Sequence, residues 1–180
     1  EAFNAIGQRT CLASLLNSPG NFTASKLSWV KTHEPKIYAQ IHKFMLPGDY
    51  IAFRLTGEMT TTAPGLSEAI LWDFPNREIS TQVLNHFGID KKLVPDLVPT
   101  LGHQGTLSRE TALELGLPPG VTVTYRAGDQ PNNAFSLNVL EPGQVAATAG
   151  TSGVVYAVSD QDVYDERSRI NTFLHVNDRS

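Results

Sequence analysis

The chain has 180 residues, of which 41% are hydrophobic and 18% charged, with a formal net charge of −4 at pH 7. That apolar fraction is ample for a core, and the length admits one large domain or one domain with part of another. The negative charge, with no run of five basic residues and no aromatic–basic interleaving, argues against a nucleic-acid or membrane-surface partner, and the lone Cys11 excludes an internal disulfide.

The first 16 residues place Phe3, Ile6, Leu12, Leu15 and Leu16 at helical spacing, ending at Asn17-Ser18-Pro19-Gly20. Thr23 is positioned to cap a second helix with Leu27 and Val30 as apolar positions and Trp29 beside them. Glu34-Pro35 opens a short third helix, and Pro47 opens a fourth, closed by Gly57. Met59 to Pro64 is Thr-rich and extended, and Ile70 to Asp73 reads as a strand or buried turn. Ile79 to Phe87 is helical and stops at Gly88. Leu93 to Thr106, with two prolines and two glycines, is loop with short strand pieces. Ser108 and Gly116 bracket a helix from Arg109 to Leu115. A strand over Val121–Tyr125 then leads through Gly128-Asp129-Gln130 to a helix starting near Pro131. Glu141-Pro142-Gly143 turns the chain into Val145–Thr148, and Val154 to Val158 follows a second turn at residues 150–153.

The pattern shifts near residue 120 from helix and loop to strand–turn–helix–strand–turn–strand. A domain boundary is expected near Glu141-Pro142-Gly143. Cys11 reads as a buried small hydrophobe in a reduced, cytoplasmic protein. The apolar runs fall far short of the ~20 residues that span a bilayer, and no signal peptide opens the chain. Both ends read as cut, so the sequence is expected to be a segment of a larger protein.

Two turns carry the chemistry. Asp129 sits after Gly128 at the end of an apolar β-branched segment, the position at which α/β folds collect ligands. A carboxylate there can take the proton of a hydroxyl as it attacks phosphorus, an effect typically worth roughly 10²–10⁴ in rate. The same residue can simply brace its own turn through an Asx hydrogen bond. Gly150-Thr151-Ser152-Gly153 offers converging backbone N–H groups and two hydroxyls, which can hold phosphate oxygens without Lys or Arg. The same composition also suits an ordinary hairpin turn. A nucleophile elbow at Ser152 is excluded, because a β-branched run follows it and the second Gly comes one position early. Gly65-Leu66-Ser67-Glu68-Ala69 misses that motif too. The histidines at 33, 42, 86, 103 and 175 lack metal-ligand spacing, and the acidic residues 160, 162 and 165 lack the Gly and closing Glu of a calcium loop.

Four motifs in order then resemble the FGGY family of carbohydrate kinases, most closely its xylulokinase branch. They are Lys26 to Trp29 within residues 21–30, Leu46-Pro47-Gly48-Asp49-Tyr50 with Thr56-Gly57-Glu58, Gly128-Asp129-Gln130, and Ala149 to Val154. The resemblance implies a partial α/β fold of the actin-like, ribonuclease-H-like ATPase type. Residues 1–143 would be the later part of the N-terminal, sugar-binding domain, and residues 144–180 the start of the C-terminal, ATP-binding domain. It implies ATP-dependent phosphorylation of a sugar hydroxyl, D-xylulose to D-xylulose 5-phosphate foremost, with ATP and Mg²⁺ as companions. Asp129 would be the general base and Gln130 a sugar-contacting amide. Gly150, Thr151, Ser152 and Gly153 would face ATP phosphates, and no protein metal ligand is expected. Lys26 and Trp29 would be structural, with the Trp packed inward. The partners would be small molecules, and a homodimer is compatible with the family. Gln130 stands where many xylulokinases carry Asn, and Pro131-Asn132-Asn133 replaces small residues, so gluconate, glycerol and ribulose stay open as substrates. A non-catalytic sugar- or nucleotide-binding paralogue also stays open, and the isolated segment is expected to be inactive.

Overall fold

The computed structural model describes residues 2–151 and 153–179. Gly7, at φ 103°, divides the N-terminal apolar segment into α1 (Ala2–Ile6) and α2 (Gln8–Leu15). Glycine adopts such a φ without a Cβ penalty, so the single helix predicted over the first 16 residues is broken there. Helix α2 buries Cys11, Leu12 and Leu15.

Helix α3 (Thr23–His33) buries Ala24 and Leu27, three apart on one face. Trp29 lies about 200° around the helix from Leu27. It is 56% exposed and stacks on His33 with ring centroids 4.5 Å apart, so the expected inward Trp is corrected. Lys26 is exposed as well. The helix begins at Thr23 itself, and Phe22 in the cap position makes no side-chain cap bond. Its far end is tied down by Lys31, which donates to the carbonyl of Phe87 at 3.2 Å and also to that of Gly88.

Helices α4 (Pro35–Tyr38) and α5 (Pro47–Thr56) start with proline in the first turn as predicted, and α5 ends at Gly57 in the left-handed region. After β1 (Thr60–Thr61) comes a helix the sequence did not announce, α6 (Ala63–Glu68). Thr62 caps it by accepting from Gly65 N at 3.3 Å, and Pro64 sits in its first turn. There Pro and Gly are compatible with helix initiation. A short antiparallel pair, β2 (Trp72–Asp73) with β3 (Glu78–Ile79), precedes α7 (Thr81–Phe87), which Ser80 caps and Gly88 ends. Strand β4 (Asp96–Leu97) runs parallel to β1.

Helix α8 (Arg109–Leu115) forms as predicted, with Ser108 Oγ accepting from Thr111 N at 3.1 Å. The predicted strand at Val121–Tyr125 does not form a continuous ladder. It makes isolated bridges, Thr106 to Thr122 and Leu101 to Tyr125. Its partner segment contains Gly102 at φ 148° and Gly105 at φ 134°, which bend the backbone out of register with an extended neighbour. Helix α9 (Asp129–Ser136) and the hairpin β5 (Val145–Ala149) with β6 (Gly153–Ala157) complete the elements.

The core gathers α2, α3, α6, α7 and the β2 region around Leu15, Leu27, Leu66, Leu71, Phe74 and Val83. The segment after β6 returns to it. Leu174 is buried in the same cluster, its N–H donates to Ser67 Oγ at 2.9 Å, and Thr172 N donates to Asn17 Oδ1 at 3.0 Å. Among the described residues no helix is long and apolar enough to cross a membrane.

Candidate functional site

Asp129 is the first residue of α9, with Gly128 as its N-cap, so the helix starts two residues before Pro131. The side chain is exposed. Its Oδ1 accepts from Gln130 N at 2.9 Å and its Oδ2 from Gln130 Nε2 at 3.2 Å. Gln130 therefore fixes the plane of the carboxylate, and each oxygen keeps acceptor capacity for a further partner. The helix is anchored from behind by Pro131 and Ala134, both buried, and by Tyr125, whose hydroxyl donates to Asn132 Oδ1 at 3.1 Å.

The residues before Asp129 are held by a buried ion pair. Arg126 Nε donates to Asp49 Oδ1 at 2.9 Å, and both side chains are more than nine-tenths buried. The guanidinium also donates through Nη2 to Thr60 Oγ1 at 2.9 Å and through Nη1 to Gln104 Oε1 at 3.4 Å. Asp49, in the first turn of α5, accepts in addition from Leu46 N at 3.4 Å. Burial pushes the Asp49 carboxyl above its ordinary range, with the Arg126 charge opposing the rise.

In front of this pair lies a cavity of about 270 Å³. It is walled by the start of α5 (Leu46 to Asp49), by Thr62, Gly65 and Glu68 of the α6 region, and by Arg126 to Asp129. Glu68 ends α6 against Gly128. A methyl built on Gly128 would fall 1.7 Å from Glu68 Oε1. Burial, reinforced by the charges of Asp129 and Asp49, raises the Glu68 carboxyl to about 7. One wall of the cavity thus holds an exposed carboxylate and a second carboxyl close to its protonation midpoint at neutral pH.

The second predicted turn is the loop of the β5–β6 hairpin. Gly150 and Thr151 are exposed, Gly153 opens β6 opposite Ala149, and Ser152 lies outside the described residues. A Cβ on Gly153 would meet only Thr148 O, at 3.8 Å, so the backbone there is open to approach. Among the described residues of this turn, Gly150, Thr151 and Gly153 do not line the Asp129 cavity. Helix α9 packs on β5, which links the two turns through the fold. Among the described residues no group of three His, Cys, Asp or Glu converges to hold a metal ion.

A larger cavity, about 740 Å³, lies between the β4 region and residues 174–178. Its charged lining side chains are Arg77 and Asp178, and it contains none of the predicted site residues. The smaller cavity is the one at which titratable side chains converge, namely Asp49, Glu68, Arg126 and Asp129.

The sequence singled out Asp129 and Gln130 as candidates, which the structure places together at the head of α9, and put Asp49 in a motif, but it did not point to the Arg126–Asp49 pair or to Glu68. A charge inside an otherwise apolar stretch was the available signal for Arg126. For Glu68 the signal was the Thr62 cap, which turns residues 63–68 into a helix.

The family model of the FGGY family of carbohydrate kinases, N-terminal domain, matches residues 9–136. The xylulose kinase of Escherichia coli (strain K12) is 32% identical over 171 residues, covering 95% of this chain and 35% of that protein. Among solved structures, the xyloylose kinase from Brucella ovis superimposes with a TM-score of 0.87 at 32% identity, covering 98% of this chain and 37% of that one. The xylulose kinase from Rhodospirillum rubrum gives 0.85 at 26% identity, with coverages of 93% and 34%. The fold is the actin-like ATPase fold, in part. The chain spans about a third of the length of the curated relatives it matches.

Proposed function

Because this chain belongs to the FGGY family of carbohydrate kinases, we propose that it is the part of a longer sugar kinase that supplies the proton-accepting carboxylate. The observation that carries this reading is Asp129, exposed at the head of α9, oriented by Gln130 and lining a cavity cut to small-ligand size. The reaction is transfer of the γ-phosphoryl group of ATP to a sugar hydroxyl. D-xylulose is the preferred acceptor, on the strength of the 32% identity to the xylulose kinase of Escherichia coli.

In the step itself the substrate oxygen bonds to the γ-phosphorus while the bond from that phosphorus to the β,γ-bridging oxygen breaks. The hydroxyl proton passes to Asp129, and ADP leaves. Such transfers depend mainly on positioning and charge stabilisation. Gln130 holds the carboxylate plane, and the Arg126–Asp49 pair fixes the backbone leading to it. The exposed backbone around Gly150, Thr151 and Gly153 is suited to nucleotide phosphates. Mg²⁺ would neutralise those phosphates and be held mainly through their oxygens. The turn at Gly143, just before the hairpin, is the proposed junction between sugar- and ATP-binding domains.

The test is sugar-dependent ADP release by the full-length kinase containing this chain, with D-xylulose, D-ribulose, gluconate and glycerol compared. An Asp129→Asn variant is run beside it. Turnover highest on D-xylulose and reduced by about 10²-fold or more in the variant supports the reading. Turnover on another acceptor corrects the substrate, and equal turnover in the variant removes Asp129 as the base. Absence of turnover on every acceptor points to a non-catalytic binding protein. The isolated 180-residue chain is expected to show no turnover, since it corresponds to about a third of its relatives.

A further inference from the structure

The carboxyl of Glu68 is half-buried, lies against Gly128 and faces the same cavity as Asp129. Among the described residues no hydrogen bond or ion pair reaches it. The neighbouring cation is committed elsewhere, since Arg126 directs its donors to Asp49, Gln104 and Thr60. The other titratable groups around Glu68 are Asp129 on α9, Asp49 on α5 and Tyr156 on β6. None of them is a cation. A carboxyl kept in such company without a protein partner costs stability, and a Gln or an apolar side chain would fill the space more cheaply.

That cost is intelligible if a ligand completes the carboxyl's hydrogen bonding. The cavity, about 270 Å³, is at the small end for ligand sites and suits a small polyol better than a nucleotide. A polyol presents adjacent hydroxyls that donate and accept. Asp129 can accept from one, and Glu68, with one carboxyl proton, can both donate to and accept from the next. Resting on the kinase reading above, we propose that Glu68 is a substrate-binding residue that holds the sugar hydroxyl adjacent to the one Asp129 deprotonates. It thereby selects acceptors with vicinal hydroxyls.

The experiment uses the full-length kinase containing this chain and its Glu68→Ala, Glu68→Gln and Asp129→Asn variants. D-xylulose binding is measured by titration calorimetry, thermal stability in parallel, and ADP release separately. Glu68→Ala is expected to weaken D-xylulose binding at least about tenfold, or about 1.4 kcal/mol, with Tm unchanged or higher. Glu68→Gln, which keeps a donor and an acceptor, is expected to lose less. Unchanged affinity in Glu68→Ala overturns the proposal, and so does a fall in Tm with affinity intact, the mark of a merely structural role. If binding depends on Glu68 but no sugar stimulates ADP release, the kinase reading fails, and with it the placement beside a reacting hydroxyl, while Glu68 stands as a sugar-binding residue. If the wild type binds no sugar, both fail.

Discussion

Replacing Glu68 by Gln keeps the side chain's size and its hydrogen-bonding capacity while removing its titration. In the folded chain, burial first and the charges of Asp129 and Asp49 second raise this carboxyl from 4.5 to about 7. The folded state therefore holds the proton more tightly than the unfolded state. The resulting stabilisation is fully present below about pH 4.5 and is lost as pH rises through about 7. Each tenfold difference in proton affinity is about 1.4 kcal/mol, so the full span is roughly 3 kcal/mol, and partial exposure trims it to roughly 2–3. Urea denaturation followed by circular dichroism, from about pH 4.5 to about pH 8.5, measures it directly. The variant is expected to match the wild type in acid and to exceed it by roughly 2–3 kcal/mol at the alkaline end. Two stability curves that stay parallel across that range would show Glu68 solvated and ionised as in the unfolded chain, and the account of the cavity wall would be wrong.

Arg126→Ala leaves Asp49 buried without its counter-charge and should destabilise the chain by about 3–5 kcal/mol in thermal or urea unfolding. An Arg126→Met, Asp49→Leu double substitution should recover most of that loss. Gly105→Ala combines φ 134° with a methyl 2.9 Å from Thr56 Cβ and Cγ2, so a cost of about 1–3 kcal/mol is expected in the same assay. Gly128→Ala is different, because φ is −66° and the collision is with the movable end of Glu68. It should change stability by less than about 1 kcal/mol yet raise the KM for sugar in the full-length kinase by displacing that carboxyl.

The elements legible in the sequence are those with local punctuation. Ser108 and Gly116 bracket α8, Pro47 and Gly57 bracket α5, and Gly88 ends α7 as read, whereas the helix expected from Ile79 starts only at Thr81, because Ile79 pairs in β3 and Ser80 caps the helix. Helix α6 was hidden because Pro64 and Gly65 read as breakers when counted alone. Their effect reverses once Thr62 is recognised as a cap and Pro64 as a first-turn residue. Trp29 was misplaced for another reason. Its size suggests burial, but the face of α3 is set by Ala24 and Leu27, and angle outweighs hydrophobicity at a single position. In the site, Asp129 was visible because a Gly turn marked it. Arg126 and Glu68 were not, because Asp49 and Thr60, which Arg126 binds, and Gly128, against which Glu68 lies, are 60 or more residues away and no spacing rule connects them.

Those distant partners also explain why the residue before the Ala-Gly-Asp turn is arginine. Asp49, Thr60 and Gln104 belong to three separate segments: a helix start, a short strand and a glycine-rich loop. A planar guanidinium presents five donors in a fixed fork, so one side chain sets the relative position of all three. A lysine ammonium could satisfy Asp49, but its rotatable donors would leave Thr60 and Gln104 without a fixed partner. Gln104 is itself pinned by donating to the carbonyls of Pro99 and Thr100 at 2.7 and 2.8 Å, so the fork meets a rigid acceptor. The backbone that emerges from Arg126 two residues later turns at Gly128 and places Asp129 at the helix head. Errors in that placement are therefore limited by a buried, multiply bonded anchor rather than by the exposed turn itself, as the proposed role of Asp129 as proton acceptor requires when a misplacement of about 1 Å is costly.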